Sequence, residues 1–402
     1  MPLALLALAI GAFGIGTTEF VIMGVLPQVA DDFGVTIPTA GWLVSGYALG
    51  VVIGAPLLTA LGTKVSRKKM LMFLMALFVV GNALSAASPS FGVMLIGRIT
   101  ASLAHGAFFG IGSVVAADLV APEKKASAIS LMFMGLTVAN IVGVPGGTYI
   151  GQAAGWRVTF TVVAALGIVG LLGVARLVPE MGRPQTENVR TEFAAFRNVQ
   201  VWLAMAMTVL GYGGVFAAIT YITPMMTEVA GYTEGAVTWL LVLFGVGMFL
   251  GNLLGGRFAD RALMPMLFAT LAALTAALLL FTATAHNKVL AAITLSLIGA
   301  LGFATVPPLQ KWVLDQASAA PTLASAANIG AFNLGNALAA WLGGIVIAAG
   351  LGYTAPNWVG ALLSGTALLL AFLAAHLDRR TRAAGHVVAS PGSEDLPAAV
   401  RH

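Results

Sequence analysis

The sequence predicts an all-α integral membrane protein: twelve transmembrane helices in two pseudo-symmetric six-helix bundles. Three observations predict it. Hydrophobic residues make up 59% of the 402 and charged residues only 9%, against about 25% charged in a soluble domain, so lipid must be the solvent for most side chains. Twelve apolar runs reach the roughly 20 residues that a helix needs to cross a bilayer. The one long polar linker inside the chain divides those runs six and six.

The runs lie at about 3–25, 40–61, 70–88, 91–117, 127–149 and 156–177, then 200–222, 236–256, 263–285, 288–310, 323–349 and 357–377. The first lacks a basic leader and continues past Phe20 without a small-residue cleavage site, so it reads as a span rather than a signal peptide. Many spans are rich in Gly and Ala, which let helices pack closely in lipid. The resulting organisation is a first bundle over 1–177, a linker over 178–199, a second bundle over 200–377, and a polar tail over 378–402 that is expected to be disordered.

Charge orients the chain. Lys64, Arg67, Lys68 and Lys69 follow the second span, and Lys124 and Lys125 the fourth. Arg176, Arg183, Arg190 and Arg197 follow the sixth, Arg257 and Arg261 the eighth, Lys311 the tenth, and Arg379, Arg380 and Arg382 the twelfth. After odd-numbered spans only Arg157 and Lys288 break the pattern. Positive loops mark the cytoplasmic side, so both termini are expected in the cytoplasm of a cell whose inner membrane the chain crosses. The net charge of +5 is thus a topology signal, and no soluble basic face remains for nucleic acid. Cysteine is absent, which excludes disulfides, thiolate catalysis and Cys-based metal sites.

The halves echo each other. The second span ends in Thr63-Lys64-Val65-Ser66-Arg67-Lys68-Lys69, and the eighth in Gly256-Arg257-Phe258-Ala259-Asp260-Arg261. The second string resembles the G-x-L-A-D-R signature of the major facilitator superfamily. The first departs from it, with Thr63 at the acidic position and Ser66 at a glycine position. Gly97-Arg98 in the fourth span looks like the superfamily's membrane-embedded arginine motif. Gly143-Val144-Pro145-Gly146-Gly147 in the fifth is similar to its antiporter motif, with V-P where G-P is usual, and Gly155-Trp156-Arg157 follows it. Gly16-Thr17-Thr18-Glu19-Phe20 with Pro27, and His105-Gly106-Ala107-Phe108-Phe109-Gly110, resemble the bacterial branch of arabinose-inducible and chloramphenicol efflux proteins. The resemblance covers roughly residues 5–377. It implies a secondary transporter that exports small, mostly lipophilic compounds or antibiotics by proton antiport with alternating access. A sugar or metabolite exporter on the same fold is the alternative. The expected partners are a small-molecule substrate, protons and the bilayer; the chain is expected to be a monomer with no cofactor, no metal and no enzymatic activity. No G-x-x-x-x-G-K-[ST], H-E-x-x-H or G-x-S-x-G string occurs.

Three ionisable residues fall well inside spans: Glu19, Arg98 and His105. Such groups cost roughly 2.5–3.5 kcal/mol each on insertion scales, and they face the interior or a wet cavity. Glu19 and Arg98 sit at matching depths, so a carboxylate–guanidinium contact is geometrically open to them. Either they couple proton movement or they are buried polar groups that never change protonation. His105 lies seven residues after Arg98, almost two full turns, and so projects from nearly the same face. It is either a proton relay or a core histidine with one hydrogen bond.

Tyr47, Phe109, Asn140, Tyr212, Phe216, Tyr221 and Asn333 are the candidate substrate contacts, on spans that line the cavity by family analogy; ordinary packing is the alternative for each. Gly143, Pro145 and Gly147 are expected to pack tightly, with the functional reading that this packing against the second half seals one leaflet. Gly256, Asp260 and Arg261 are expected to serve the conformational cycle.

Overall fold

The computed structural model describes residues 3–62, 65–121, 124–180, 196–259, 261–317 and 321–388. Thr63, Lys64 and Asp260 lie outside the described residues, as do Arg183 and Arg190 of the linker. Among the described residues twelve helices are long and apolar enough to span a membrane. In the first half they are α1 (Leu3–Asp32), α2 (Trp42–Gly62), α3 (Arg67–Ala86), α4 (Phe91–Asp118), α5 (Lys125–Val138, then a π turn Ala139–Gly143 and Val144–Ala154) and α6 (Trp156–Leu177). In the second they are α7 (Val199–Thr220), α8 (Glu234–Ala259), α9 (Leu263–Thr284), α10 (Lys288–Ala304 and Val306–Gln316), α11 (Pro321–Ala348) and α12 (Ala355–Val388).

Local chemistry sets the ends. Ser90 caps α4 by accepting from Val93 N, and Asn287 caps α10 by accepting from Leu290 N. Gly155, at φ 95°, turns the chain between α5 and α6 in a conformation that a side chain would resist. The π turn of α5 comes just before Pro145, and α10 breaks just before Pro307 and Pro308. Proline lacks the donor that would close the preceding turn, so the ladder slips there. Several helices outrun their expected ends: α1 continues to Asp32, α5 to Ala154, α10 to Gln316 and α12 to Val388. The tail therefore departs from the expectation of disorder at 378. Once a helix is nucleated in the apolar stretch, each added residue gains a hydrogen bond at little further cost.

Packing follows the internal repeat. In the first half α4 packs on α2 and α3, and α1 on α5 and α6. In the second, α10 packs on α8 and α9, and α7 on α11 and α12. Glycines four apart make the α2–α4 and α8–α10 contacts. Gly46, Gly50 and Gly54 sit against Leu95, Ser102 and Leu103; Gly247, Gly251 and Gly255 sit against Ser296, Ala300 and Ala304. Such spacing brings backbones together along one helix face. Phe73, Ile96, Trp239, Leu279, Ile293 and Leu369 are exposed on the outside, where lipid would cover them.

The halves meet along α1–α7, α2–α11 and α5–α8. Ser45 Oγ donates to Ala337 O (3.2 Å), Thr223 Oγ1 to Met23 O (2.7 Å) and Gln152 Nε2 to Glu234 O (2.8 Å). All three bonds lie toward the face opposite the chain termini.

Candidate functional site

The ionisable residues of the first half converge on α1. Arg98 is 1% exposed, His105 6% and Glu19 9%; these values place all three inside protein rather than against lipid. Arg98 donates to the carbonyls of Thr18 (2.6 Å), Glu19 (3.4 Å) and Leu43 (3.4 Å), and to Thr18 Oγ1 (3.3 Å). The guanidinium lies over the Tyr47 ring, 4.3 Å from its centroid. Thr18 Oγ1 in turn donates to Asn82 Oδ1 (2.5 Å), and Asn82 Nδ2 donates to Phe78 O (2.9 Å). The Glu19 carboxylate turns elsewhere: its Oε2 stands 4.0 Å from His105 Nδ1. Tyr47 Oη is 3.3 Å from that same nitrogen.

The expected Glu19–Arg98 contact is thus made by the backbone of Glu19, not by its carboxylate. Helix geometry gives the reason. Carbonyls point toward the C-terminal end of a helix, and side chains lean toward the N-terminal end. Along α1 the carbonyls of Thr18 and Glu19 therefore face the level of Arg98. The Glu19 side chain leans the other way, toward the level of His105, seven residues farther along the antiparallel α4. Matching Cα depth alone paired the wrong atoms. Arg98 and His105 do share one face, as their spacing requires.

The aromatic contacts lie next to this cluster. Phe109 packs on His105 (5.3 Å between ring centroids) and on Phe133 (5.2 Å). Across the seam, Phe20 meets Phe216 at 5.5 Å, and Tyr212 packs on Phe216 (5.6 Å), Phe303 (5.6 Å) and Phe332 (5.0 Å). Asn333 follows Phe332; its Nδ2 donates to Ile329 O (3.0 Å), and its buried Oδ1 has no hydrogen-bond partner among the described residues. Asn140, in the π turn, borders a void of about 10 Å³ with Phe20 and Phe244, which is room for about one water. Tyr47 belongs to the ionisable cluster instead. Tyr221 stands apart from both groups: its hydroxyl donates to Ala340 O (2.8 Å), where it fills the seam beside Gly41 and Gly344. A cavity of about 180 Å³ lies beside it, bordered by Trp42 and Trp341.

The glycines of the fifth-span motif pack tightly against α1, while Val144 between them borders Leu241 and Phe244 of α8. A Cβ at Gly143 would meet Thr17 Oγ1, and one at Gly147 would meet Val21 Cγ2, both on α1. Pro145 is buried beside them. The second half is also met by Asn140 and Ile141, against which Gly245 of α8 abuts, and by Gln152 nearer the end of α5. At the terminus-bearing face, Gly256 has open space around it and Arg261 is exposed. Two ion pairs escaped sequence reasoning. Arg67 pairs with Asp118, closing α3 on α4; Arg157 pairs with Asp32 and also donates to Ser88 O (3.1 Å). Nothing in local sequence marks either acid as a partner.

Comparison with known proteins accords with this architecture. Residues 8–331 match the model of the Major Facilitator Superfamily. The chain is 49% identical over 377 residues to "Inner membrane transport protein YdhP" of Escherichia coli K12, covering 94% of this chain and 97% of that protein. It is 36% identical to "Chloramphenicol resistance protein" of Streptomyces lividans, covering 92% and 96%. Among solved structures, a D-xylose-proton symporter superposes with a TM-score of 0.74 at 16% identity, covering 91% of this chain and 96% of that one; at that identity the likeness speaks for the fold alone. Twelve apolar helices in two echoing halves, the basic turns after α2 and α8, and the family match over most of the length agree: this chain belongs to the major facilitator superfamily of membrane transporters.

Proposed function

We propose that the protein is a proton-driven antiporter of the inner membrane that exports small, mostly lipophilic organic compounds, with chloramphenicol-like molecules as the first to test. One observation carries the reading. Among the described residues a single buried carboxylate, Glu19, sits beside a histidine on α4, and the next residue, Phe20, packs against the aromatic cluster of α7. A proton site and an apolar, aromatic surface therefore adjoin at the seam between the halves. Apolar pockets with few polar groups suit lipophilic ligands, and Asn333 Oδ1 offers one free acceptor. Proton and substrate would occupy neighbouring positions in turn, exposed to either side as the halves rock. Glu19, Arg98 and His105 would form the coupling group. Phe109, Asn140, Tyr212, Phe216 and Asn333 would contact substrate. The name of the Streptomyces lividans relative supports the substrate class, and that of the Escherichia coli relative supports the membrane.

Proteoliposomes with an imposed pH gradient and radiolabelled chloramphenicol test this. Glu19→Gln mimics the protonated carboxyl and cannot release a proton. It should abolish concentrative transport while leaving binding of a neutral drug partly intact. Normal rates of uphill transport in Glu19→Gln, with the proton gradient as sole energy source, would show Glu19 to be structural.

A further inference from the structure

One nitrogen in the cluster is contested. Tyr47 Oη lies 3.3 Å from His105 Nδ1, and Glu19 Oε2 lies 4.0 Å from it. A neutral imidazole offers a single acceptor lone pair. With the ring proton on Nε2, Nδ1 is the acceptor and the phenol at this distance donates to it. The arrangement is held from every side. The Tyr47 ring is pinned beneath the Arg98 guanidinium, and it stands edge-on to the His105 ring at 6.0 Å. His105 in turn is backed by Phe109. Tyr47 is 2% exposed. The other ionisable groups near the carboxylate are Arg98 from α4 and Tyr212 from α7.

We propose that Tyr47 is a positioning residue for proton exchange: its hydroxyl holds His105 Nδ1 while Glu19 is charged, and competes with the Glu19 carboxyl proton for that lone pair. This rests on the proton-site reading of Glu19. When Glu19 is protonated, its O–H can donate to Nδ1 only after the Tyr47 hydroxyl turns about its C–O bond. The swap of donors on Nδ1 changes only hydrogen bonds; the Glu19 O–H bond forms when a proton arrives from water and breaks when the proton returns to water. The competition raises the cost of keeping the proton on Glu19, and so eases its release.

Tyr47→Phe tests it, because it keeps the ring beneath Arg98 and removes only the competitor. The readout is the carboxyl C=O infrared band of the purified protein in nanodiscs, assigned by its absence in Glu19→Gln and followed against pH. With the competitor gone, the band should persist to higher pH by roughly half a unit or more, as expected for one neutral hydrogen bond gained. The shift should vanish when Tyr47→Phe is made in a His105→Phe background, or in His105→Asn should the first fail to fold. An unchanged midpoint in Tyr47→Phe would overturn the proposal, as would an equal shift without His105. So would a change confined to drug KM, which marks Tyr47 as a substrate contact. The measurement needs no transport. A clear His105-dependent shift in a protein that shows no proton-driven flux would overturn the antiport reading alone, and a Glu19 band that never titrates would overturn both.

Discussion

Arg98 ties three helices together through their backbones. Its guanidinium reaches carbonyls of α1 and of α2 from a position on α4, and its planar fork suits several acceptors at once. A lysine keeps the charge but is a point donor that cannot span Thr18, Glu19 and Leu43 together. Arg98→Ala should therefore lower unfolding stability in detergent by about 3 kcal/mol or more, and Arg98→Lys by less. Dye-monitored thermal unfolding of both variants checks the order. A normal melting temperature in Arg98→Ala, with only the pH profile of transport displaced, would mean that the arginine acts on the carboxylate and not on the helix backbones. The membership of this cluster was legible in the sequence because a charge in a span is costly and conspicuous. Its wiring was not: the direction of the Glu19 side chain along α1 decides it, and depth along the membrane carries no such information. Tyr47 is the instructive case, since a tyrosine in a span looks the same whether it meets a substrate or, as here, a histidine and a guanidinium.

At the scale of elements, α2–α4 and α8–α10 are the same contact made twice. A Cβ on Gly251 would overlap Ala300 O, and one on Gly54 would overlap Leu103. These are backbone atoms that cannot step aside without parting the helices. Gly251→Val should cost about 2 kcal/mol or more by overpacking, whereas Gly146→Ala, where nothing lies within 4 Å, should leave stability unchanged or slightly raised. Fluorescence-detected size exclusion after a temperature series would compare them, and equal melting of the two variants would contradict the close-approach account. The spans themselves were readable because length and hydropathy settle a membrane helix almost alone. The ends of α1 and α12 and the π turn of α5 were not, since helix continues into polar residues wherever no breaker stops it. The role of Gly143 and Gly147 was half legible. Their need for close packing shows in the composition, but their neighbour, α1, depends on how the helix is turned about its axis, which composition does not carry.

Across the whole molecule, charge is divided between two faces. The face that carries the chain termini bears Arg67, Lys68, Lys69, Lys124, Arg176, Arg197, Arg257, Arg261 and Lys311 among the described residues. The opposite face bears Arg157 and Lys288, together with Asp31, Asp32, Glu228 and Glu234. Arg157 is paired with Asp32, so even this exception adds little positive charge to its side. Each Lys or Arg resists transfer across the bilayer and the membrane potential favours its retention inside, so the sum over one face orients all twelve spans at once. The expected outcome is that the terminus-bearing face is cytoplasmic. Reporter fusions ending at Lys124, where α5 begins, and at Lys288, where α10 begins, should read opposite sides, with an alkaline phosphatase reporter active only at Lys288. Because Arg157 is neutralised in place, Arg157→Ala should leave both readings unchanged. A phosphatase active at Lys124, or active at both sites, would mean that the summed loop charge does not set the orientation of this chain.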